Sequence, residues 1–368
     1  MATTVFVPRE RARGESRVAL VPALVSRYVE HGARVVIEAG AGKDAGFPDG
    51  SYEDAEIKRD FSLSEADAVL TVRGLDAEQV SQLKRGASVV GLLAPHADDF
   101  PTAAYSKAGA RAFALEKLPR ISRAQSMDAL SSQAAAAGYR AALLAALESP
   151  RFFPMLTTAA GTVRPARVLV IGAGVAGLQA IATAHRLGAV VEGYDVRPAA
   201  RTEVESLGAR FVDTGVGAEG EGGYARELSD EEKRQQADKL AEHIARANVV
   251  ITTAAVPGKA APKIIDKKMV DAMEAGSVIV DLAAASGGNC ALTKPDKTVR
   301  AKGVAILGPT NPAAGLAAHA SEMYAKNVLN FVAPWFGENG ELNIPADDEV
   351  YTTTLVAGEL PSVPADAS

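Results

Sequence analysis

The chain alternates short apolar runs with stretches whose apolar residues recur every three or four positions. The apolar runs predict strands at 3–7, 33–38, 68–73, 87–93, 110–115, 167–171, 189–194, 209–212, 248–252, 277–281 and 303–307. Short buried strands that alternate with helices in this way are typical of parallel sheets covered by helices on both faces. The pattern therefore predicts α/β architecture from one end of the chain to the other.

The helical stretches set the expected domain organisation. Helices are predicted at 22–31, 51–58, 77–84, 99–108, Ser126 to Leu147, Glu231 to Ala247 and Gly315 to Phe331. Four consecutive alanines favour the helix that starts near Ser126, and its length suits a connector between domains. We predict two Rossmann-like, doubly wound parallel-sheet domains with a cleft between them, a central one at 138–314 and a discontinuous one from 1–137 plus 315–368. The acidic, proline-rich tail after Pro334 is expected to be partly disordered.

A glycine turn follows the strand predicted at 167–171. Gly172, Gly174 and Gly177 lead from that strand into an alanine-rich helix. In a dinucleotide-binding turn the first glycine permits the bend, the second lets the backbone approach the pyrophosphate, and the third lets helix pack on strand. The helix start adds free N–H groups and a partial positive charge. The pattern predicts a bound dinucleotide, contacted by Gly172, Gly174, Val175, Ala176 and Gly177.

Asp195 ends the next predicted strand, 23 residues after Gly172. A carboxylate at this point accepts hydrogen bonds from the adenosine ribose hydroxyls and repels a 2′-phosphate. Arg197 and Arg201 follow closely and can blunt that repulsion, so NAD(H) is preferred over NADP(H) while the strictness of the preference stays open. Val196 and Arg197 are also expected to contact the cofactor.

Two later strand ends supply further candidate contacts. Thr253 and Ala254 follow the strand predicted at 248–252, and Asp281 ends the strand predicted at 277–281. Open α/β sheets bind their ligands at the carboxyl ends of the strands, so all three residues are predicted to line the cofactor site. For Asp281, a structural role in capping the next turn is an equally good interpretation.

Composition narrows the class of protein. The 368 residues carry 39 basic and 45 acidic side chains, a net charge of −6, and no basic stripe with interleaved aromatics, so nucleic-acid binding is not expected. The single cysteine, Cys290, excludes a disulfide framework, and the scattered histidines predict no metal site. The sequence opens without signal-peptide features, and no apolar run reaches the ~18 residues of a membrane span. These features predict a soluble, cytoplasmic protein.

The polar segment Pro119–Asp128 is the most specific stretch of the chain. It resembles the Arg–Gln–Asp loop of the NAD(H)-binding domain I in the alpha subunit of proton-translocating nicotinamide nucleotide transhydrogenases. The matching residues are Arg120, Gln125 and Asp128, with Ser131 shortly after them. The segment Gly222–Glu227 is similar to that family's mobile loop. In it, Tyr224 matches the tyrosine that closes over bound nucleotide, and Gly223 beside it is expected to contact the cofactor.

The resemblance covers nearly the whole chain except the tail. It implies direct hydride transfer from bound NADH to NADP⁺ held on a partner, with catalytic roles for Arg120, Gln125, Asp128, Ser131 and Tyr224. It also implies a homodimer that works with an NADP(H)-binding beta subunit and a membrane-spanning alpha-2 subunit, at the cytoplasmic face of the inner membrane. Hydride passing between two nicotinamide rings takes up no proton from solvent, so such a site needs orientation and dryness more than a base.

Alanine dehydrogenase, the nearest relative of that family, is the main alternative. Arg17 lies in a stretch that belongs to both families, and in the dehydrogenase an arginine there helps to hold the substrate carboxylate. The dehydrogenase's proton-handling groups are altered here. Its lysine aligns with Arg73, which cannot release its proton, and its aspartate aligns with Ala285. His96 lies about two positions later in the sequence than the histidine of the dehydrogenase pattern.

A second alternative is a non-enzymatic, NAD(H)-responsive interaction module. Without the resemblance, residues 119–128 are read as a polar turn between domains, with Ser126 capping the long helix. Tyr224 is then a solvated residue of a glycine-rich loop. These interpretations stay open at the level of sequence.

Overall fold

A computed structural model of the chain describes residues 2–215, 229–255, 258–337 and 340–361. The chain divides into two compact units, Met1–Gln133 with Ala314–Ser368, and Ala134–Ala313. Each unit has its own largely parallel sheet with a buried apolar cluster on either face. The predicted α/β fold with two doubly wound, Rossmann-like sheets is confirmed. Among the described residues, no helix is both long and apolar enough to cross a membrane.

The secondary structure follows the alternation predicted from the sequence. The described strands are β1 (Thr4–Val7), β2 (Arg34–Glu38), β3 (Glu56–Lys58), β4 (Ala68–Arg73), β5 (Ser88–Leu92), β6 (Arg111–Ala114), β7 (Leu156–Thr158), β8 (Gly161–Val163), β9 (Arg167–Ile171), β10 (Val190–Tyr194), β11 (Arg210–Phe211), β12 (Val249–Thr252), β13 (Val278–Asp281), β14 (Thr298–Ala301), β15 (Val304–Leu307) and β16 (Leu355–Ala357). The described α-helices are α1 (Val25–Glu30), α2 (Ala77–Ser81), α3 (Thr102–Ala108), α4 (Ala129–Glu148), α5 (Val175–Arg186), α6 (Ala200–Ser206), α7 (Asp230–Arg246), α8 (Lys267–Asp271), α9 (Ala317–Val332) and α10 (Glu349–Thr354).

The sheet of the first unit has the strand order β16-β6-β5-β4-β1-β2-β3 within the described chain. Its strands are parallel except β16, which pairs antiparallel with β6. Along β1, Val5 and Val7 join the buried cluster on one face, and Phe6 joins the cluster on the other. Because successive side chains of a strand point to opposite faces, a strand covered on both sides needs a continuous apolar run.

The sheet of the second unit has the order β11-β10-β9-β12-β13-β15-β14 within the described chain. Val168 and Val170 of β9 join one buried cluster, and Leu169 and Ile171 join the other. The four strands β10, β9, β12 and β13 are parallel neighbours, so their carboxyl ends lie along one edge. That edge collects the loops that follow these strands, and open α/β sheets bind ligands there.

One prediction about local structure is wrong, and another, the partial disorder of the tail, does not extend to most of its residues. The stretch 51–58 contains no α-helix and instead includes the edge strand β3, whose polar residues pair in parallel with β2. An edge strand can be short and polar, so it lacks the apolar run that marks a central strand. The tail after Pro334 is folded over its described part: Trp335 and Tyr351 are buried, and β16 extends the first sheet. The last residues, 362–368, lie outside the described residues.

Candidate functional site

The three glycines of the turn between β9 and α5 differ in what a side chain at each position would meet. Gly172 has a φ of +98°, a left-handed value that favours glycine, and a Cβ there would lie 2.5 Å from Oγ1 of Thr253. A Cβ on Gly177 would lie 1.7 Å from the carbonyl oxygen of Gly172. A Cβ on Gly174 would meet nothing within 4 Å. The first and third glycines therefore allow close packing, whereas the backbone at Gly174 faces open space.

Helix α5 starts from this turn without a side-chain cap. Its N-cap residue is Gly174, and the first bond along the helix runs from Leu178 N to the Gly174 carbonyl, 2.8 Å away. The first-turn N–H groups of Val175, Ala176 and Gly177 have no partner within the helix, as at any helix start. The helix dipole adds a partial positive charge. Free N–H groups beside an open glycine suit a phosphate or pyrophosphate.

A glycine in α4 sets how closely that helix approaches the turn. A Cβ on Gly138 would lie 2.0 Å from the carbonyl oxygen of Ala176, in the first turn of α5. Sequence reasoning missed this residue. The available signal was a glycine inside an otherwise alanine-rich helix, where it costs about 1 kcal/mol relative to alanine unless packing requires it.

Asp195 is buried at the carboxyl end of β10 and accepts four hydrogen bonds. Its Oδ2 accepts from Ala173 N at 2.8 Å and from Nη2 of Arg197 at 2.9 Å, and its Oδ1 accepts from N and Nε of Arg197, each at 2.9 Å. Burial alone would raise the pKa of the carboxyl, but the Arg197 guanidinium and the backbone N–H groups hold that pKa below its ordinary value. Asp195 is therefore an ionised acceptor, and a ribose hydroxyl must replace part of Arg197 to reach it.

The ends of β10 and β11 border a cavity of about 230 Å³. Asp195 and Val196 line it from the end of β10, Arg201 from α6 and Phe211 from β11. Pockets that hold a whole small molecule are typically ~300–1,000 Å³. The cavity thus suits one end of a dinucleotide rather than all of it.

The loop after β12 is tied to the glycine turn and to a buried amide. Thr253 donates from its Oγ1 to the Gly172 carbonyl at 3.0 Å and from its N to the Ile171 carbonyl at 2.9 Å. Asn289, completely buried, accepts from Ala254 N at 3.1 Å and donates to the carbonyls of Ala254 and Pro262 at 2.7 and 2.9 Å. Thr253 and Ala254 therefore lie at the same sheet edge as the glycine turn. Asn289 was not among the predicted site residues.

Asp281 does not face open space. It is completely buried, and it accepts hydrogen bonds from Thr252 Oγ1, Ala283 N, Cys290 N and Thr293 Oγ1, at 3.0, 3.1, 2.9 and 2.6 Å. Three of these donors belong to the chain that folds back over the strand end after β13, and the fourth, Thr252, ends the neighbouring strand β12. The expectation of a direct cofactor contact is replaced by a structural role, the second of the two interpretations that the sequence left open.

The Arg–Gln–Asp segment lies in the first unit, before α4. Arg120 and Gln125 are exposed, and residues Ser122–Met127 form a 3-10 turn. Asp128 accepts from Ser131 N at 2.9 Å and from Ser131 Oγ at 2.6 Å, so Asp128, and not Ser126, caps α4. The structure therefore brings Asp128 and Ser131 together and leaves the amide of Gln125 on the surface.

Two anchors hold this segment in place. The carbonyl of Ser126 accepts from Nδ2 of Asn327 at 2.9 Å and from Nδ2 of Asn330 at 3.0 Å, both in α9. Arg123 forms a two-pronged ion pair with Asp348, which lowers the pKa of that carboxyl. The 3-10 turn that carries Gln125 is thus fixed through the residues beside it.

The predicted site residues form two groups. Gly172, Gly174, Val175, Ala176, Gly177, Asp195, Val196, Arg197, Thr253 and Ala254 share one edge of the second unit's sheet. Arg120, Gln125, Asp128 and Ser131 belong to the first unit. Gly223 and Tyr224 lie outside the described residues.

A buried charge cluster occupies the carboxyl edge of the first unit's sheet. Arg17 donates from Nε and Nη2 to the two oxygens of Glu15, at 2.7 and 2.5 Å, and from Nη1 to Gln133 at 2.8 Å. Arg73 donates from Nε to Glu15 at 3.1 Å. Although burial opposes it, the pairing with Arg17 and Arg73 lowers the pKa of Glu15 to about 2. The two arginines on which the dehydrogenase alternative depends are therefore engaged by a protein carboxylate.

Two further carboxyl groups stand at this edge, and sequence reasoning missed both. Glu10 accepts from Val72 N at 2.6 Å and Arg73 N at 3.2 Å, and burial raises its pKa to about 7 in spite of these bonds. Glu116 accepts from the backbone N of Leu93 and Ala94, and burial raises its pKa as well. Each carboxyl joins two strand ends through backbone N–H groups. A glutamate shortly after an apolar run was the available signal.

Comparisons with known proteins agree with the geometry. Residues 6–137 match the model of the alanine dehydrogenase/PNT N-terminal domain, and residues 141–359 match that of the alanine dehydrogenase/PNT C-terminal domain. An NAD(P) transhydrogenase alpha-subunit polypeptide from Rhodospirillum rubrum is 45% identical over 96% of this chain and 95% of its own. A solved transhydrogenase structure from Sinorhizobium meliloti is 43% identical, with a TM-score of 0.88 over 96% of this chain and 98% of its own.

An alanine dehydrogenase from Halomonas elongata is more distant, at 29% identity over 95% of this chain and 92% of its own. Both domain models and the transhydrogenase relatives cover most of the sequence. The chain therefore belongs to the alanine dehydrogenase/PNT family, and its similarity groups it with the transhydrogenase alpha subunits of that family.

Proposed function

We propose that this chain binds NAD(H) and passes hydride from NADH to NADP⁺ held on a partner subunit of a proton-translocating transhydrogenase. The observation that carries the proposal is the turn at Gly172–Gly177, built to the requirements of a dinucleotide, in a chain 45% identical to a transhydrogenase alpha subunit. The bound nicotinamide supplies the hydride. The protein binds the dinucleotide, orients its nicotinamide ring and keeps water away from that ring.

The residues of the second unit divide the binding task. The open backbone at Gly174 and the first-turn N–H groups of Val175 and Ala176 hold the pyrophosphate. Asp195 accepts from the adenosine ribose once the Arg197 side chain withdraws from it. Thr253 and Ala254 support the other end of the dinucleotide. The fit rests on the open space at Gly174 and on the ionised acceptor at Asp195.

The residues of the first unit act at the reacting end. Arg120 and Gln125 are exposed polar groups that can meet a dinucleotide carried by a partner. Asp128 and Ser131 position them by fixing the start of α4. Tyr224 closes over the nucleotide, as the resemblance of its loop implies, and Gly223 contacts the cofactor beside it. A neutral amide at Gln125 contributes hydrogen bonds without placing a charge beside the nicotinamide ring.

Alanine dehydrogenation fits the described residues less well. Arg73 takes the place of the dehydrogenase lysine and cannot release a proton near neutral pH. The turn Ala284–Ser286 supplies no carboxylate where the dehydrogenase has its aspartate. Arg17 is held by Glu15 and Gln133. Oxidation of an amino acid requires positioned acid–base groups, whereas hydride transfer between two nicotinamide rings does not.

Two reaction mixtures and one binding titration separate the candidate functions. The chain is incubated with NADH and an NADP⁺-loaded beta subunit, then with alanine and NAD⁺ alone, and its NADH binding is titrated. We expect NADPH to form only in the first mixture. Turnover with alanine supports the dehydrogenase instead, and NADH binding without either reaction supports the interaction module.

Gln125→Asn tests the reacting end directly. Shortening the side chain by one methylene withdraws the amide, so we expect hydride transfer to fall at least tenfold, since misplacement by ~1 Å can cost about 10²-fold, while NADH binding is kept. Gln82→Asn, at an exposed position in the same unit, is the matched control. Unchanged transfer in Gln125→Asn contradicts the role given to Gln125.

We further propose that the chain is a homodimer, docked through the beta and alpha-2 subunits on the cytoplasmic face of the inner membrane. An exposed hairpin supports the dimer. Both strands, β7 and β8, are exposed, and Phe152, Met155 and Val163 are 57, 64 and 47% exposed. Isolated two-stranded hairpins are marginally stable in water, and exposed apolar patches mark interaction sites.

The oligomeric state tests this part of the proposal. Sedimentation of the wild type should give a dimer, and Phe152→Glu and Met155→Glu should each shift it toward monomer, because a buried unpaired charge opposes association. Val29→Glu changes a residue of similar chemistry, 39% exposed in the other unit, and should stay dimeric. A wild-type monomer contradicts the proposal.

A further inference from the structure

Two arginine–aspartate pairs lie at the 230 Å³ cavity, and three of their four residues, Asp195, Arg201 and Asp213, line it. The inner pair is Asp195 with Arg197, which meet through several hydrogen bonds at the end of β10. The outer pair is Arg201 with Asp213, which joins α6 to the residues after β11. An adenosine whose ribose reaches Asp195 lies against both pairs.

Three contacts hold Arg201 in place. Its Nη2 lies 2.5 Å from Oδ2 of Asp213, and its Nη1 lies 3.9 Å from Oε1 of Glu205. Its guanidinium carbon lies 4.8 Å from the ring centroid of Phe211, so the planar group stacks on the aromatic face. Arg201 is nevertheless 44% exposed, and a ligand in the cavity can reach it.

Asp213 is itself oriented toward Arg201. Its Oδ1 accepts from Gly215 N at 2.9 Å, which leaves Oδ2 for the arginine. The same two partners lower the pKa of the Asp213 carboxyl, so it is ionised at neutral pH. The backbone turn thus presents a fixed negative charge to the guanidinium.

The charges along this wall disfavour an added phosphate. Among the described residues that line the cavity, the carboxylates of Asp195 and Asp213 outnumber the guanidinium group of Arg201. A 2′-phosphate carries up to two negative charges and needs an unpaired cation, usually an arginine that can bind it through two nitrogens. Arg201, the arginine that lines the cavity, already faces the carboxylate of Asp213.

We propose that Asp213 is a specificity-determining residue of the dinucleotide site. By holding Arg201, it withholds the cation that a 2′-phosphate would need, and it adds its own negative charge to that of Asp195. The site is thereby restricted to a dinucleotide without a 2′-phosphate. This inference rests on the proposed NAD(H) site and deepens it, because it adds Asp213 to Asp195 as a determinant of the preference for NAD(H).

Titration with NADH and NADPH, followed by the fluorescence of the reduced nicotinamide, tests the inference. In Asp213→Asn the side chain keeps its size and loses its charge, so Arg201 loses its close ion pair and keeps only its more distant contacts with Glu205 and Phe211. We expect NADPH affinity to rise by roughly tenfold while NADH affinity stays within about twofold, in line with the energy of one charge-assisted contact. The gain should shrink at high salt, because the group is exposed.

Three further variants make the result specific. The double variant Asp213→Asn/Arg201→Gln should lose the gain, since the released cation is absent. Asp271→Asn removes a carboxylate paired with Lys267 at 2.6 Å, in the same unit but outside the cavity lining, and should leave the NADPH to NADH ratio unchanged. Asp213→Ser serves as a second charge-removing variant if the asparagine form is unstable.

The outcomes are distinguishable. A wild type that binds NADH, with Asp213→Asn and Asp213→Ser both at the wild-type ratio, overturns the inference and leaves the NAD(H) site standing. A gain that persists in the double variant also overturns it, because Arg201 is then not the group released. A wild type that binds neither nucleotide contradicts the proposed function itself.

Discussion

At the scale of single residues, the glycines of the turn between β9 and α5 have two different functions. Gly172 and Gly177 allow close backbone approach, and Gly174 borders open space. The same substitution by alanine should therefore have different consequences at Gly174 and at Gly177. Comparing the two alanine variants separates an effect on stability from an effect on nucleotide binding.

Gly177→Ala should destabilise the fold, and Gly174→Ala should weaken binding. A Cβ 1.7 Å from the Gly172 carbonyl forces α5 away from the turn, a distortion of the kind that costs about 1–3 kcal/mol. At Gly174 the methyl group has room in the free protein but occupies the face expected to meet the pyrophosphate. Urea unfolding and NADH titration of both variants measure this. Equal losses of stability in the two variants contradict this division of roles.

Glu10 should make stability depend on pH near neutrality. Its pKa is about 7 in the folded chain, raised from 4.5 by burial. Between these values the folded chain binds a proton that the unfolded chain has released, so stability falls as the pH rises from about 5 to 7. We expect a loss of roughly 2 kcal/mol over this window, less than the full shift at 1.36 kcal/mol per unit because Glu10 is only partly buried.

Glu10→Gln isolates this contribution. The amide does not titrate, so its unfolding free energy should change less between pH 5 and 7 than that of the wild type. Glu53→Gln, at an exposed position, controls for a general change of charge. Identical pH profiles for Glu10→Gln and the wild type would rule out Glu10 as the source.

The residues of the candidate site differ in how far the sequence could predict them. Glycines and a strand-end aspartate follow from local backbone demands, so Gly172 and Asp195 stand out in sequence. Asn289 and Gly138 act through contacts with residues distant in the chain, and no local pattern indicates such pairs. For Asp281 the sequence left two roles open, and the fold of the chain after β13 decides between them.

At the scale of elements, the start of α4 belongs to the segment that we propose takes part in hydride transfer. Asp128 accepts hydrogen bonds from both the N–H and the hydroxyl of Ser131. It is therefore a helix cap as well as a member of the Arg–Gln–Asp segment. We regard it as a positioning residue. Its effect on hydride transfer should follow from the cap and not from its charge.

Asp128→Ala should lower the unfolding free energy by about 1 kcal/mol, the usual cost of losing an N-cap, and should reduce hydride transfer with it. Asp128→Asn keeps an oxygen that can cap the helix, so both quantities should stay near the wild type. Asp76→Ala removes the N-cap of α2 in the same unit and should lower stability without lowering transfer. If Asp128→Asn loses transfer as severely as Asp128→Ala, the carboxylate charge itself is required.

Central elements were predictable because burial on both faces imposes an apolar run. The predicted strand 167–171 coincides with β9, and the predicted 248–252 differs from β12 by one residue. Except for β11, which lies within the predicted strand 209–212, the edge elements were not predicted. β3 and β16 have three residues each, β14 lies at the outer edge of its sheet, and both strands of the β7–β8 hairpin are exposed. Their pairing depends on the neighbouring strand more than on their own composition.

At the scale of the whole molecule, we assign nucleotide binding to one unit and contact with the second nucleotide to the other. The second unit offers the glycine turn and Asp195, and the first offers an anchored surface segment with Gln125. The carboxylate of Glu15, buried at the first unit's sheet edge, is satisfied by Arg17 and Arg73. The glycine turn and the surface amide of Gln125 suit transfer between two nucleotides.

The most direct test of the proposed function follows the hydrogen itself. NADH deuterated at both C4 positions is mixed with the chain and an NADP⁺-loaded beta subunit in ordinary water, and the NADPH formed is analysed by mass spectrometry. Direct transfer predicts one deuterium in every molecule of NADPH, with no need for alanine. NADPH that carries hydrogen from water, or that forms only when alanine is added, contradicts the central claim.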